Sequence, residues 1–261
     1  MKPAQLSCYL LTMNSERRLH QVLLSVLDIA DEIILVDSGS TDDTLQIAAA
    51  FGVKVFHRDF DNFRDQRVFA EDQCTHNWVL ALDSDEVVSP ALRGEIDRIK
   101  FENFFAQDPN PPGAFQIKRD WFFMSYPVRN FYPVRTPEYV IRLFRRDTVS
   151  HRGSRIVHEQ INTGKATIFW LEQPLYHYSC DSLSDLYSKV DLYASLAAED
   201  MRLSGFTSSW HKIHVYPWII WLKWYFMYGS WRDGRPGRIL GKYIRDTVYL
   251  KYQKLKLLQN P

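Results

Sequence analysis

Cysteine is scarce in this sequence, with only Cys8, Cys74 and Cys180 among 261 residues and no C-x-x-C pair. An odd, dispersed set argues against a disulfide framework or a cysteine zinc site and points to a reducing compartment. Long apolar runs are also missing. The most hydrophobic stretch, YPWIIWLKWYFMY at 216–228, is thirteen residues long and interrupted by Lys223, whereas a bilayer-crossing helix needs about 20. The N-terminal MKPAQLSCYLLTMNSERRL lacks a full h-region and a small-residue cleavage site, so no secretory signal is expected there. Charge of one sign is not in excess either: 32 Lys+Arg stand against 31 Asp+Glu. Internal repeats and low-complexity segments are absent. Together with 46% hydrophobic and 24% charged residues, these absences exclude a disordered tail, a collagen-like repeat and a multi-pass membrane protein. They imply a cytoplasmic globular chain, long enough for one large domain or a domain with an appendage.

The overall neutrality conceals a division. From Met201 onward there are 11 Lys+Arg and two acids, Asp233 and Asp246, a charge of +9; residues 1–200 carry 21 and 29, a charge of −8. Five of the eight tryptophans also fall after Met201. The two parts are therefore expected to do different work.

Short apolar runs at 6–12, 32–37, 53–57 and 78–83 alternate with amphipathic stretches at 15–27, 42–51 and 64–74. Ser89-Pro90 opens a further helix to about residue 100, as N-cap and first helical position. For the second helix, Ser40 or Thr41 is the expected N-cap. Strands alternating with ten-residue helices imply βαβ units and a mostly parallel sheet. Ligands of such sheets sit beyond the carboxyl ends of the strands. That singles out Thr12 and Asn14, Asp37 to Ser40, and Asp83 to Glu86. The segment 101–112, with DPNPP, reads as a flexible loop.

Asp83-Ser84-Asp85-Glu86 sets three carboxylates within four residues at the end of a wholly apolar strand. Like charges so close repel, and burial raises their pKa values. A hard divalent cation, Mg²⁺ or Mn²⁺, resolves the repulsion and also bridges phosphates. A solvated acidic helix cap is the plainer alternative. Asp37-Ser38-Gly39-Ser40 ends the second strand similarly, either as a close-approach ligand loop or as a tight strand-to-helix turn.

LVDSGSTDDT at 35–44, QR-x-x-A at 66–70 and WVLALDSDE at 78–86 together resemble the inverting family 2 glycosyltransferases, which have the GT-A fold. IRLFRR at 141–146, VHE at 157–159, LYHYS at 175–179 and GSWRDGRPGR at 229–238 extend the likeness over nearly the whole chain. They are similar to bacterial lipopolysaccharide core enzymes that place a β-glucose on the first inner-core heptose. The resemblance implies an α/β GT-A fold, with a nucleotide-sugar half at 1–100, an acceptor half at 113–204 and a basic, aromatic helical tail at 205–261. It implies that Asp37 contacts the base, that Asp83 holds ribose or metal hydration, and that Asp85 holds the metal. Thr12, Asn14 and Glu16 would line the nucleotide pocket alongside Ser38 and Ser84, with Arg67 near the base or diphosphate. The first strand departs from the family pattern, having Thr-Met before Asn14.

An inverting transfer needs a general base opposite the leaving nucleotide, and a metal to offset the charge building there. The resemblance points to Glu159 as the base, with Asp120 second. His177 either completes the metal shell or is a hydrogen-bonded core histidine. Eight arginines between 119 and 155, Arg142 and Arg145 among them, could hold an acidic acceptor, being suited to phosphates and carboxylates; His158 could touch the sugar or orient the base. The sequence 182–204 has helical spacing. The Trp- and Lys-containing segment 217–228 and the basic segment 238–258 suit an interfacial helix on an anionic membrane, or else a packed helix or dimer contact. The expectation is therefore a UDP-hexose donor, a membrane glycolipid acceptor and residence on the inner face of the cytoplasmic membrane. No nucleic-acid module is recognisable. A polyprenyl phosphate or peptide acceptor, and a non-catalytic sugar-nucleotide binding module, are the alternatives.

Overall fold

The computed structural model describes residues 4–102, 111–152 and 161–259. The first four strands, β1 (Leu6–Thr12), β2 (Glu32–Asp37), β3 (Lys54–His57) and β4 (Trp78–Asp83), lie parallel in the order β3-β2-β1-β4. Central β1 is buried on both faces, which explains its unbroken apolar run. Helices α1 (Glu16–Val26), α2 (Thr44–Ala50) and α3 (Phe63–Gln73) make the crossovers, as the apolar spacing predicts. One boundary differs. Helix α2 starts at Thr44 with Asp43 at its N-cap, because the Asp42 carboxylate takes the Thr44 amide at 3.0 Å, beyond the Ser40–Thr41 start expected.

After β4 the chain makes a short strand that the sequence reading did not anticipate, β5 (Glu86–Val88), before α4 (Pro90–Glu102). Ser89 caps α4 as expected, its hydroxyl accepting from the Leu92 amide at 3.1 Å. The sheet continues beyond β4 through β10 (Glu138–Arg145), β6 (Ala114–Phe123), β11 (Ile168–Cys180) and β5. The β10–β4 and β11–β5 pairs are antiparallel. Strand β7 (Tyr126–Val128) pairs with β6, and β8 (Asn130–Phe131) with β9 (Val134–Arg135) in a separate ribbon. The parallel part thus makes one half of the sheet, and the antiparallel strands extend it.

The chain forms two compact units, Met1–Arg119 with Tyr139–His177, and Asp120–Glu138 with Tyr178–Pro261. The first contains a core of Tyr9, Ile34, Val36, Val79, Ala81 and Phe144 between the parallel strands and α3. In the second, α5 (Leu183–Leu203) and α8 (Gly234–Gln259) pack along each other, with Leu186 and Val190 meeting Leu240 and Ile244. Phe131 stacks on Trp121 at 5.3 Å between ring centres. The short α6 (Trp210–His214) and α7 (Tyr216–Leu222), a π-helical turn at Lys223–Met227 and a 3₁₀ turn at Ser230–Asp233 complete this unit. Gly237 of α8 is required by close approach: a Cβ there would lie 1.9 Å from the Ser230 carbonyl oxygen. The three cysteines are free and buried.

Candidate active site

The register of the parallel strands brings their carboxyl ends to one edge of the first unit, with Thr12 opposite Asp37 and Leu11 opposite Asp83. A pocket of about 440 Å³ opens there. Thr12, Ser38, Asp83, Ser84, Asp85 and His177 all line it. Six residues singled out across 165 positions of sequence thus meet at one site.

Asp37, Asn14, Glu16 and Arg67 are not among the residues lining the pocket; they brace the loops and the Asp83 side chain beside it. The Asp37 carboxylate accepts from the Thr12 hydroxyl at 3.0 Å, the Ser40 hydroxyl at 2.5 Å and the amides of Gly39 and Ser40 at 2.9 and 2.8 Å. Burial opposes its charge, but these donors prevail and hold its pKa below the usual value. Asp37 therefore organises the 38–40 turn, in which Gly39 adopts a φ of +96° that other residues rarely tolerate. Asn14, at φ +50°, accepts from the Thr41 amide at 2.8 Å and donates its own amide to Ser40 at 2.9 Å. Glu16 accepts from the Asp43 amide at 3.1 Å. The loops after β1 and β2 are thereby locked together.

The acidic tetrapeptide divides by role. Asp83 Oδ1 accepts from Arg67 at 2.6 Å, and Oδ2 from Arg142 at 2.5 Å. Glu86, fully buried, accepts from Arg142 and from Arg119, each at 2.8 Å. Burial disfavours both charges, yet Arg142, with Arg67 at Asp83 and with His177 and Arg119 at Glu86, holds the Asp83 carboxyl below and the Glu86 carboxyl well below the ordinary range. Arg142 is itself only 8% exposed. Sequence reasoning treated Glu86 as one of three repelling acids and Arg142 as acceptor-facing. The structure instead joins them in a buried charge box. Arg119 and Arg142 lie 33 and 56 residues from Glu86 in sequence, which leaves no local signal.

Other arginines of the group bond to nearby acids or to the backbone, Arg152 at the exposed surface. Arg145 donates to Asp147 at 2.7 Å, Arg146 to the backbone carbonyls of Glu71 and Cys74, and Arg152 to Asp72. Buried His151 meets Glu71 at 2.5 Å. Gln66, also lining the pocket, was noticed only as part of a motif; its amide nitrogen donates to Ser38 at 2.8 Å and to the Arg58 carbonyl at 3.0 Å. Phe60 and Phe63 were missed; they sit edge to face at 4.9 Å on the pocket wall, half exposed, and offer an apolar surface to a planar ligand. Asp120 is half-buried on β6. Glu159, His158 and Arg155 lie outside the described residues.

Asp85 Oδ2 and His177 Nε2 are 3.7 Å apart at the pocket. That spacing lets one ion reach both, and an oxygen–imidazole pair suits Mn²⁺ more than Mg²⁺, which prefers oxygen alone. Among the described residues no group of three or more His, Cys, Asp or Glu forms a metal cluster. A cation here would therefore complete its shell with phosphate oxygens and water, the usual pattern at nucleotide sites.

The family model for glycosyl transferase family 2 matches residues 7–162. An uncharacterised glycosyltransferase of Rickettsia typhi is 30% identical over 97% of this chain and 88% of its own length. The lipopolysaccharide core biosynthesis glycosyltransferase LpsC of Rhizobium meliloti is 28% identical over 97% of this chain and 92% of its own. A glucosyl-3-phosphoglycerate synthase of Mycobacterium tuberculosis, crystallised with Mn²⁺, UDP-glucose and phosphoglyceric acid, overlaps 46% of this chain and 44% of its own at 21% identity, with a TM-score of 0.35, too slight a likeness to argue from. The sequence motifs, the parallel N-terminal strands and the extent of the family match agree: the chain belongs to glycosyl transferase family 2 and has the GT-A fold.

Proposed function

We propose that the chain moves a hexose, glucose, from UDP to a hydroxyl of a membrane glycolipid, the inner-core heptose of lipopolysaccharide, with inversion at the anomeric carbon. The observation that carries this is the convergence of Thr12, Ser38, Asp83, Ser84, Asp85 and His177 on one pocket at the strand ends. The relative named for lipopolysaccharide core biosynthesis, alignable over nearly the full chain, supports the acceptor class.

The division of labour follows from chemistry. The 38–40 turn held by Asp37 and the Phe60–Phe63 wall seat the nucleoside. Asp85 and His177 hold Mn²⁺ or Mg²⁺, which when bound offsets the charge gathering on the leaving diphosphate. Asp83, neutralised by Arg67 and Arg142, keeps the 83–85 backbone in place beneath it. Glu159 removes the acceptor proton as general base, with Asp120 the second choice. Residues 1–100 form the nucleotide half, 113–204 the acceptor half, and 205–261 the tail through which the enzyme works at the inner face of the cytoplasmic membrane.

The test incubates the purified chain with UDP-[¹⁴C]glucose, Mn²⁺ and lipopolysaccharide truncated at the inner core, followed by mass and anomeric analysis of the glycolipid. One added β-hexose, abolished by EDTA, is the expected product. Label on a polyprenyl phosphate or peptide instead would reassign the acceptor, and UDP-sugar binding without turnover on any acceptor would make the chain a binding module. Glu159→Gln should lower turnover by about 10² or more while leaving UDP affinity intact. Normal turnover would move the base to Asp120.

A further inference from the structure

The second unit carries an apolar face that its own core does not use. Along α7 and the π-helical turn, Pro217 and Trp224 are buried, whereas Trp218, Ile219, Leu222, Phe226 and Met227 are exposed, Met227 by 76%. The exposed positions advance by four residues per turn: 218, 222, 226 and, one step round, 219, 223, 227. An ideal α-helix with 3.6 residues per turn would rotate such a series away from one side. The π turn at Lys223–Met227 is wider and returns Phe226 and Met227 to the side of Trp218 and Leu222. The inward side is fixed by α8, where Gly241 admits Trp221: a Cβ at that glycine would lie 2.9 Å from the indole nitrogen.

Charge complements this face. Lys223, Arg232, Arg235 and Arg238 are exposed in the same segment. Its two acids are bound to arginines: Asp233 accepts from the Arg129 amide at 2.9 Å and Asp246 from the Arg245 guanidinium at 2.7 Å. Guanidinium groups also lie over indole rings, Arg245 on Trp218 at 5.0 Å and Arg232 on Trp231 at 5.2 Å, the mixed aromatic and cationic surface suited to a headgroup layer. A second copy of the chain would set positive charge against positive charge. Among the described residues no helix is long and apolar enough to cross a membrane, so a bilayer that met this face would be met along its surface and not spanned.

We propose that α7 and the π turn dock in the plane of an anionic membrane, with Trp218, Leu222, Phe226 and Met227 entering the acyl boundary and Arg232, Arg235 and Arg238 meeting lipid phosphates. The glycolipid reading above enters only as the reason for being there; the docking face itself stands on the second unit alone.

The test is sedimentation of the full chain with phosphatidylcholine vesicles containing or lacking phosphatidylglycerol, in the absence of any glycan acceptor. The wild-type chain should bind the anionic vesicles, and Trp218→Ser/Leu222→Ser/Phe226→Ser should weaken that binding by at least about tenfold. Arg232→Gln/Arg235→Gln/Arg238→Gln should remove the salt-sensitive part. All these side chains are exposed, so circular dichroism and UDP binding should match wild type. Equal sedimentation of the apolar triple variant, or no binding by wild type, overturns the proposal. So does a wild-type dimer in sedimentation velocity that the triple variant abolishes, which would make the face a contact between copies. Because no acceptor is present, a failed transfer assay leaves this outcome untouched.

Discussion

Replacing Arg142 by Met removes a guanidinium that bonds Asp83 at 2.5 Å and Glu86 at 2.8 Å while keeping most of the aliphatic stem. Breaking a buried pair leaves an uncompensated charge and costs about 3–5 kcal/mol. Arg67 still holds Asp83 and Arg119 still holds Glu86, so the lower end, about 3 kcal/mol, is expected. In a chain of this size that corresponds to a fall in Tm of about 6–12 °C. The pH dependence follows from the depressed carboxyl pKa values. Their stabilisation is complete above the ordinary Glu value of 4.5 and is lost as pH falls through the lower folded values. The deficit of Arg142→Met should therefore be full at pH 7 and shrink below about pH 4.5. Calorimetry at several pH values reads this directly, and a cycle with Glu86→Gln isolates the pair: in that background Arg142→Met should cost about 1–3 kcal/mol less. A Tm at pH 7 within about 2 °C of wild type, or the same loss in the Glu86→Gln background, would refute the charge box.

Other outcomes follow from single contacts. Asp37→Ala frees three donors in the 38–40 turn and the Thr12 hydroxyl, and should cost about 2–4 kcal/mol in urea unfolding, at about 1 kcal/mol per bond with partial rehydration, and weaken UDP binding. Asp85→Ala should leave the Tm nearly unchanged, since the side chain sits at the open pocket, but abolish the metal dependence of UDP affinity in calorimetric titration; retained dependence would place the cation elsewhere. Gly94→Ala meets nothing within 4 Å in α4 and should stabilise by up to about 1 kcal/mol. Gly237→Ala, driven against the Ser230 carbonyl, should destabilise by about 2 kcal/mol or more; equal Tm values for the two alanine variants would contradict the packing of α8.

Much of the parallel N-terminal half was legible because its determinants are local. The apolar runs of β1, β2 and β4 announce strands buried on both faces, and the polar residues that end them fall where a parallel sheet puts its ligand. Asp85 and His177 were separable as candidates for the same reason: each is a polar residue closing or interrupting an apolar strand. Glu86 was not separable from them. A carboxylate next to Asp85 looks the same in sequence whether it faces solvent or the guanidinium groups of Arg119 and Arg142. Asp37 likewise reads equally as a base contact and as the hub of a turn until its four donors are in place. The sequence also missed Phe60 and Phe63, because two aromatics beside a helix start carry no signal until the pocket forms beside them.

In the tail the sequence determined composition and helical period, and so the presence of an amphipathic, cationic, tryptophan-rich segment. Which tryptophans turn inward was decided by packing: Trp221 enters because Gly241 leaves room, Trp224 is buried in the core, and the π turn keeps Phe226 and Met227 outside. The acid at the strand ends was visible from the start. Whether each acid organises a turn, pairs with arginines or stands at the open pocket was settled only by the tertiary structure, because the partners that fix a carboxylate's charge come from strands and helices distant in the chain.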